Sequence, residues 1–116
     1  QYGIPAAIDG DQSHLAAMIT DLEARRDLAM DRLNGIDGIS CVVPEGAFYA
    51  FPRLDFDVAD GPWCADLMRE TGVVVVPGSG FGQKPGTQHF RIVLLPPLDV
   101  LSDAFDGIAA FAARTT

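Results

Sequence analysis

Arg91 is the residue with the clearest chemistry to offer. It sits in His89-Phe90-Arg91-Ile92-Val93-Leu94-Leu95, one guanidinium inside an otherwise apolar run. Arginine is seldom buried without a partner. Its planar fork matches a carboxylate through two parallel hydrogen bonds. Alternation along an extended chain puts His89, Arg91, Val93 and Leu95 on one face and Phe90, Ile92 and Leu94 on the other. The apolar triplet is expected in a core. For Arg91 the residues alone favour a solvated edge or an internal ion pair. They leave open a third place, against the carboxylate of a ligand.

Other reactive side chains fit no familiar catalytic pattern. The loop Gly78-Ser79-Gly80-Phe81-Gly82-Gln83-Lys84-Pro85-Gly86 matches neither GxxxxGK[ST] nor GxGxxG followed by a helix. It reads as a turn, a close backbone approach or one wall of a cleft. Lys84 is the sole lysine, and its place between Gln83 and Pro85 in a polar loop suits an exposed charge, not a Schiff base. Ser79 lies outside any GxSxG elbow, and neither His14 nor His89 has a partner that the sequence demands. Asp55, Asp57 and Asp60 lack EF-hand spacing and read as a solvated acidic loop. Cys41 and Cys64 form no CxxC pair, so free buried thiols are expected and no metal site.

These side chains must be positioned by one domain, residues 1–116, since 116 residues make a single core. A long connecting helix region is expected over 1–35, and sheet with helices over 36–116. In the first, Leu15, Met18, Ile19 and Leu22 keep helical spacing, and Ala29, Met30 and Leu33 continue the stripe. The pattern predicts a helix from about Gln12 to Asn34, closed by Gly35 and Gly38. Strands are expected at 40–43 and 47–51, the latter stopped by Pro52 and apolar on both faces, so covered on both. A helix should start near Pro62, with Cys64, Leu67, Met68 and Thr71 inward, and end at Gly72. Val73 to Val76 predicts a buried strand, His89 to Leu95 the next, and Leu98, Leu101, Phe105, Ile108 and Ala112 a final helix. The order predicts an α+β fold with a small, mainly antiparallel sheet and helices packed on it.

The net charge of −8 argues against nucleic acid and anionic membrane as partners. No run approaches the ~18 apolar residues of a membrane span, and no signal peptide is visible. A cytoplasmic location is expected. Gln1-Tyr2-Gly3-Ile4-Pro5 reads as chain interior, so a piece of a longer chain is expected.

Several runs occur together in one order: Arg25-Arg26-Asp27, Pro44-Glu45-Gly46-Ala47-Phe48-Tyr49-Ala50-Phe51, Val76-Pro77-Gly78-Ser79-Gly80-Phe81-Gly82 and His89-Phe90-Arg91-Ile92. In this the chain resembles the C-terminal small domain of class I/II, fold type I pyridoxal-phosphate-dependent aminotransferases. The segment Gly78 to Pro97 looks most like the alanine (glutamate–pyruvate) branch. The resemblance implies that Arg91 binds the α-carboxylate of an amino acid substrate. It implies that Gly46, Ala47, Phe48, Tyr49, Gly78 and Ser79 line the cleft. It also implies a homodimeric parent that exchanges an amino group between an amino acid and a 2-oxo acid. The family's cofactor lysine and most other cofactor ligands belong to the large domain and have no match here. Pyridoxal phosphate is therefore expected to be held mainly by that domain, leaving this piece inactive alone with no catalytic residue of its own. A stand-alone amino-acid-binding module without catalysis, or a structural domain, are the competing readings.

Overall fold

The protein is described by a computed structural model covering residues 1–115. Helices α1 (Gly3–Asp9) and α2 (Ser13–Asn34) lead into strands β1 (Ile39–Ser40), β2 (Tyr49–Ala50) and β3 (Arg53–Leu54). Helix α3 (Asp60–Thr71) follows, then β4 (Val76–Pro77), a 3-10 turn at Gly78–Phe81, β5 (Gln88–Val93) and α4 (Leu98–Thr115). The fold is α+β with a small antiparallel sheet.

Strand β5 organises that sheet, pairing antiparallel with β2, β3 and β4. Strand β1 pairs with β3. The strand expected over 47–51 is shorter, Tyr49–Ala50, and ends before Pro52 as expected, but antiparallel pairing with β5 resumes beyond the proline. Tyr49 opposes Val93 and Ala50 opposes Ile92, while beyond the proline Arg53 opposes His89 and Leu54 opposes Gln88. The register is unchanged across the gap. Pro52 lacks an N–H, but its carbonyl still accepts from Phe90 N–H at 3.0 Å, so a ladder can pass with one donor missing.

One sheet face is packed. Phe90, Ile92 and Leu94 point inward with Ala50 and Leu54, as the alternation predicts. Trp63 of α3 places its ring 5.3 Å from Phe90 and 5.3 Å from Phe111 of α4. Leu67 of α3 and Leu101, Phe105 and Ile108 of α4 complete the cover. Helix α2 joins late in its length through Ala29 and Leu33. Arg32 hydrogen-bonds Ser102 and ion-pairs Asp106, both on α4. Arg25 donates to the Leu95 carbonyl at 2.8 Å, fixing the chain just beyond β5.

The other sheet face is open, contrary to the expectation that both faces of the Tyr49 strand are covered. Tyr49 and Phe51 are exposed beside Val93 and Leu95. Helices α3 and α4 both lie on the far side, and no element of the described chain crosses back. The same reason exposes Leu15, Met18 and Ile19, whose helical spacing is correct but whose stripe meets nothing. Of the four valines at 73–76 only Val75 is buried, and the strand begins at Val76. Met68, expected inward, is also exposed, as is Leu98 at the start of α4. Helix α3 starts at Asp60, two positions before Pro62, and ends as expected at Gly72, a left-handed residue with φ 77°. None of the helices of the described residues is long and apolar enough to cross a membrane.

Candidate functional site

Arg91 stands mid-way along β5 on the open face, opposite Val76. Its guanidinium carbon lies 3.9 Å from the ring centre of Phe81 and 4.6 Å from that of Tyr49. Each ring offers the cation its electron-rich face. Tyr49 comes from the neighbouring strand and Phe81 from the end of the 3-10 turn. The Arg91 Nε is buried and has no hydrogen-bond partner. Every ion pair found among the described residues involves other arginines. The sheet-edge and internal-pair readings of Arg91 therefore both fail among the described residues: the charge is half-buried in a central strand, held between aromatic rings, and has no anion there. A buried donor left unpaired carries a desolvation penalty of about 1–3 kcal/mol.

A cleft of about 500 Å3 opens in front of this guanidinium, walled by Val42, Val43, Tyr49, Phe51, Phe81 and His89. Its lining is mostly apolar. His89 stacks on Phe51 with ring centres 4.8 Å apart and planes 6° from parallel. Burial pushes the His89 pKa below its ordinary 6.5, and the nearby Arg53 adds to this against a weaker opposing pull from Asp55. At neutral pH the imidazole is uncharged, which leaves Arg91 as the cation of the cleft.

The backbone around the site is held closely. Gly78 is buried, and a Cβ there would stand 2.6 Å from the Gln83 Oε1 and 2.7 Å from both the Cβ and the carbonyl oxygen of His89. The expected close backbone approach is thus real at this glycine. Asp60, expected in a solvated loop, is instead buried at the start of α3. Burial pushes its carboxyl up, but hydrogen bonds from Ser79 and from Gly61 outweigh that and hold it below its ordinary 3.8. On the other side, Ala47 adopts φ 56°, a left-handed conformation that costs a residue with a Cβ about 1–2 kcal/mol.

The cleft-lining residues expected from sequence divide in three. Tyr49 reaches Arg91 directly. Gly46, Ala47 and Phe48 face a separate, narrow cleft of about 50 Å3 against Leu22 and Arg26 of α2. Phe48 meets the Arg91 site only through the Tyr49 ring, 4.7 Å away. Gly78 and Ser79 sit behind the cleft and shape the turn that delivers Phe81. Phe81, Phe51 and Asp60 were not anticipated. Strand alternation from Tyr49 points to Phe51, and an acidic residue in a first helical turn is a known anchor for N–H groups. No signal in the sequence marks Phe81 beyond its being the aromatic residue of a glycine loop.

The residues present do not fit pyridoxal phosphate as a covalently held group. Lys84 is exposed on the loop before β5 and lies outside the lining of the Arg91 cleft, so no amine is offered there. What the arrangement can do is take up a carboxylate.

Known proteins resemble this chain over most of its length. The family model for aminotransferase class I and II matches residues 1–101. Human alanine aminotransferase 1 is 38% identical over 90% of this chain, which covers 24% of that protein. A mitochondrial alanine aminotransferase 2 of Arabidopsis thaliana is 36% identical over 89% of the chain, covering 22% of it. Among solved structures, an alanine aminotransferase from Pyrococcus furiosus superposes with a TM-score of 0.88 at 38% identity, over 94% of this chain and 28% of its own. An aspartate aminotransferase from Rhizobium meliloti gives 0.87 at 36% identity, over 96% and 30%. The chain spans about a quarter of the length of the curated relatives it matches. It belongs to the class I and II aminotransferases, in the fold type I aspartate/alanine aminotransferase superfamily.

Proposed function

We propose that this chain is the small, substrate-closing domain of a pyridoxal-phosphate-dependent aminotransferase, with Arg91 as the ligand of the substrate α-carboxylate. The observation that carries the reading is the aromatic clamp: a half-buried guanidinium between Phe81 and Tyr49 whose Nε has no partner. A carboxylate docked on that fork gains two parallel, charge-assisted hydrogen bonds. It also gives a poorly solvated cation its counter-ion. Fixing the carboxylate fixes the orientation of the adjoining Cα–H bond, which is the chain's contribution to the reaction. The open apolar sheet face then suits packing against a large domain, which holds pyridoxal phosphate and supplies its chemistry. Closing that interface expels water from around the ion pair and strengthens it. The substrates are an amino acid and a 2-oxo acid, of the alanine and glutamate–pyruvate type on the strength of the relatives' names. The full-length enzyme is a homodimer in this reading.

The test is Arg91→Lys in the full-length enzyme. Lysine keeps the charge and loses the fork. With about 1.5–3 kcal/mol for hydrogen bonds to a charged group, KM for the amino acid should rise about 10- to 100-fold. Cofactor affinity, read from the visible absorbance of the bound group, should not change. Equal weakening of substrate and cofactor would refute the assignment.

A further inference from the structure

Asp60 lies outside the Arg91 cleft, yet its carboxylate fixes one of the two rings that grip the guanidinium. Its Oδ2 accepts the backbone N–H of Ser79 at 2.7 Å and the side-chain amide of Gln83 at 3.4 Å. Its Oδ1 accepts the N–H of Gly61 at 2.9 Å. Its own N–H is donated to the Gln88 Oε1 at 3.0 Å. The Gln83 Oε1 in turn takes the N–H of His89 at 2.8 Å, two residues before Arg91. One buried carboxylate thus joins the start of α3, the 3-10 turn and the first residues of β5.

The turn is four residues long, Gly78–Phe81, so anchoring Ser79 fixes where Phe81 lies. Gly78 cannot slide, because it is already packed against His89. Phe81 is 44% exposed, and its ring meets only the edge of Phe51, 6.4 Å away, besides the guanidinium. Much of its place over the guanidinium therefore comes from the backbone beneath it, which Ser79 ties to Asp60. Among the described residues Asp60 makes no ion pair, so its charge is compensated by these N–H groups. A buried acceptor with filled hydrogen bonds is costly to move, which suits an anchor.

We propose that Asp60 is a positioning residue for Arg91: by anchoring the Gly78–Phe81 turn it holds Phe81 over the guanidinium and presets the fork for a substrate carboxylate. Presetting matters because ordering a long side chain at the moment of binding subtracts from affinity. The inference rests on the reading of Arg91 as the carboxylate ligand.

The experiment compares Asp60→Asn, Phe81→Leu, the double variant and Arg91→Lys in the full-length enzyme. Asparagine keeps the shape but turns one acceptor into a donor, which cannot serve both Ser79 and Gly61. KM for the amino acid should rise about 2- to 5-fold, no more than when the Phe81 ring itself is lost, with kcat changed less than about 2-fold. In the Phe81→Leu background the same substitution should add little, because the ring it positions is gone. An unchanged KM, or an equal rise with and without Phe81, overturns the proposal. A fall in kcat at constant KM overturns it too. If Arg91→Lys raises KM and Asp60→Asn does not, only this proposal fails. If Arg91→Lys leaves KM unchanged, the reading beneath it fails as well. Should Asp60→Asn not fold, Gln83→Leu decides. It cuts the link from Asp60 to His89 at a half-exposed site, and a KM rise of about 2- to 3-fold is expected. No rise there overturns the proposal.

Discussion

Replacing Phe81 by leucine should weaken amino acid binding about 5-fold while leaving the fold intact. The ring centre is 3.9 Å from the Arg91 guanidinium carbon, close enough for the full attraction between cation and π face. Such contacts contribute about 0.5–1 kcal/mol when exposed and about 2 when desolvated. Here Phe81 is 44% exposed while the Arg91 Nε is buried, which places the contact near 1 kcal/mol, or about 5-fold in affinity. Leucine fills similar space without a π face. Tyr49 lies farther off, at 4.6 Å, so Tyr49→Leu should act in the same direction and less strongly by this route. The assay is steady-state KM and kcat in the full-length enzyme, with urea midpoints as the control for folding. Phe81→Tyr retains the π face and should restore KM. If Phe81→Tyr is as impaired as Phe81→Leu, or if neither moves KM, the aromatic clamp is not what holds the guanidinium.

Two further outcomes follow from the same neighbourhood. Gly78→Ala should lower stability by about 1–3 kcal/mol, because the new methyl would press on the stem and carbonyl of His89; an unchanged urea midpoint would contradict the tight packing described. His89 supplies a pH dependence. Its folded pKa lies below its ordinary 6.5, so the unfolded chain takes up a proton first as pH falls. The stability it contributes is full above pH 6.5 and declines below it, toward the folded pKa. His89→Gln should therefore flatten the change in urea midpoint between pH 7.5 and the acid side, and an unaltered slope would refute the attribution.

Much of the fold was legible because helices and the central strand carry strong local signals. Phe90, Ile92 and Leu94 alternate with His89, Arg91 and Val93, and the structure buries the first set. Gly72 ends α3 because only a left-handed residue closes that helix so cheaply. What was not legible depended on partners. The spacing of Leu15, Met18 and Ile19 states that a helix has an apolar side but not what covers it. The same holds for the valines at 73–76, where Val74 is 73% exposed. Pro52 hid the pairing beyond it for a different reason: proline removes one donor, and the ladder resumes through its carbonyl.

The site itself separates two ways in which a small fold can carry a charge inside. In sequence Asp60 reads as part of an acidic loop and Arg91 as a lone charge in an apolar strand, yet both are drawn into the fold. Asp60 is satisfied entirely by its own chain, through N–H groups of Ser79 and Gly61 and the amide of Gln83. Such a charge is structural, because both of its oxygens already accept hydrogen bonds before any ligand arrives. Arg91 is held by faces of rings, which attract a cation without occupying its donors. Its position is fixed while its hydrogen-bonding capacity stays free, and that combination is what a carboxylate requires of a binding site. The two charges are linked through the turn that Asp60 anchors and Phe81 ends. Satisfying the acid internally keeps the ring in place, and the ring in place keeps the arginine both oriented and unpaired.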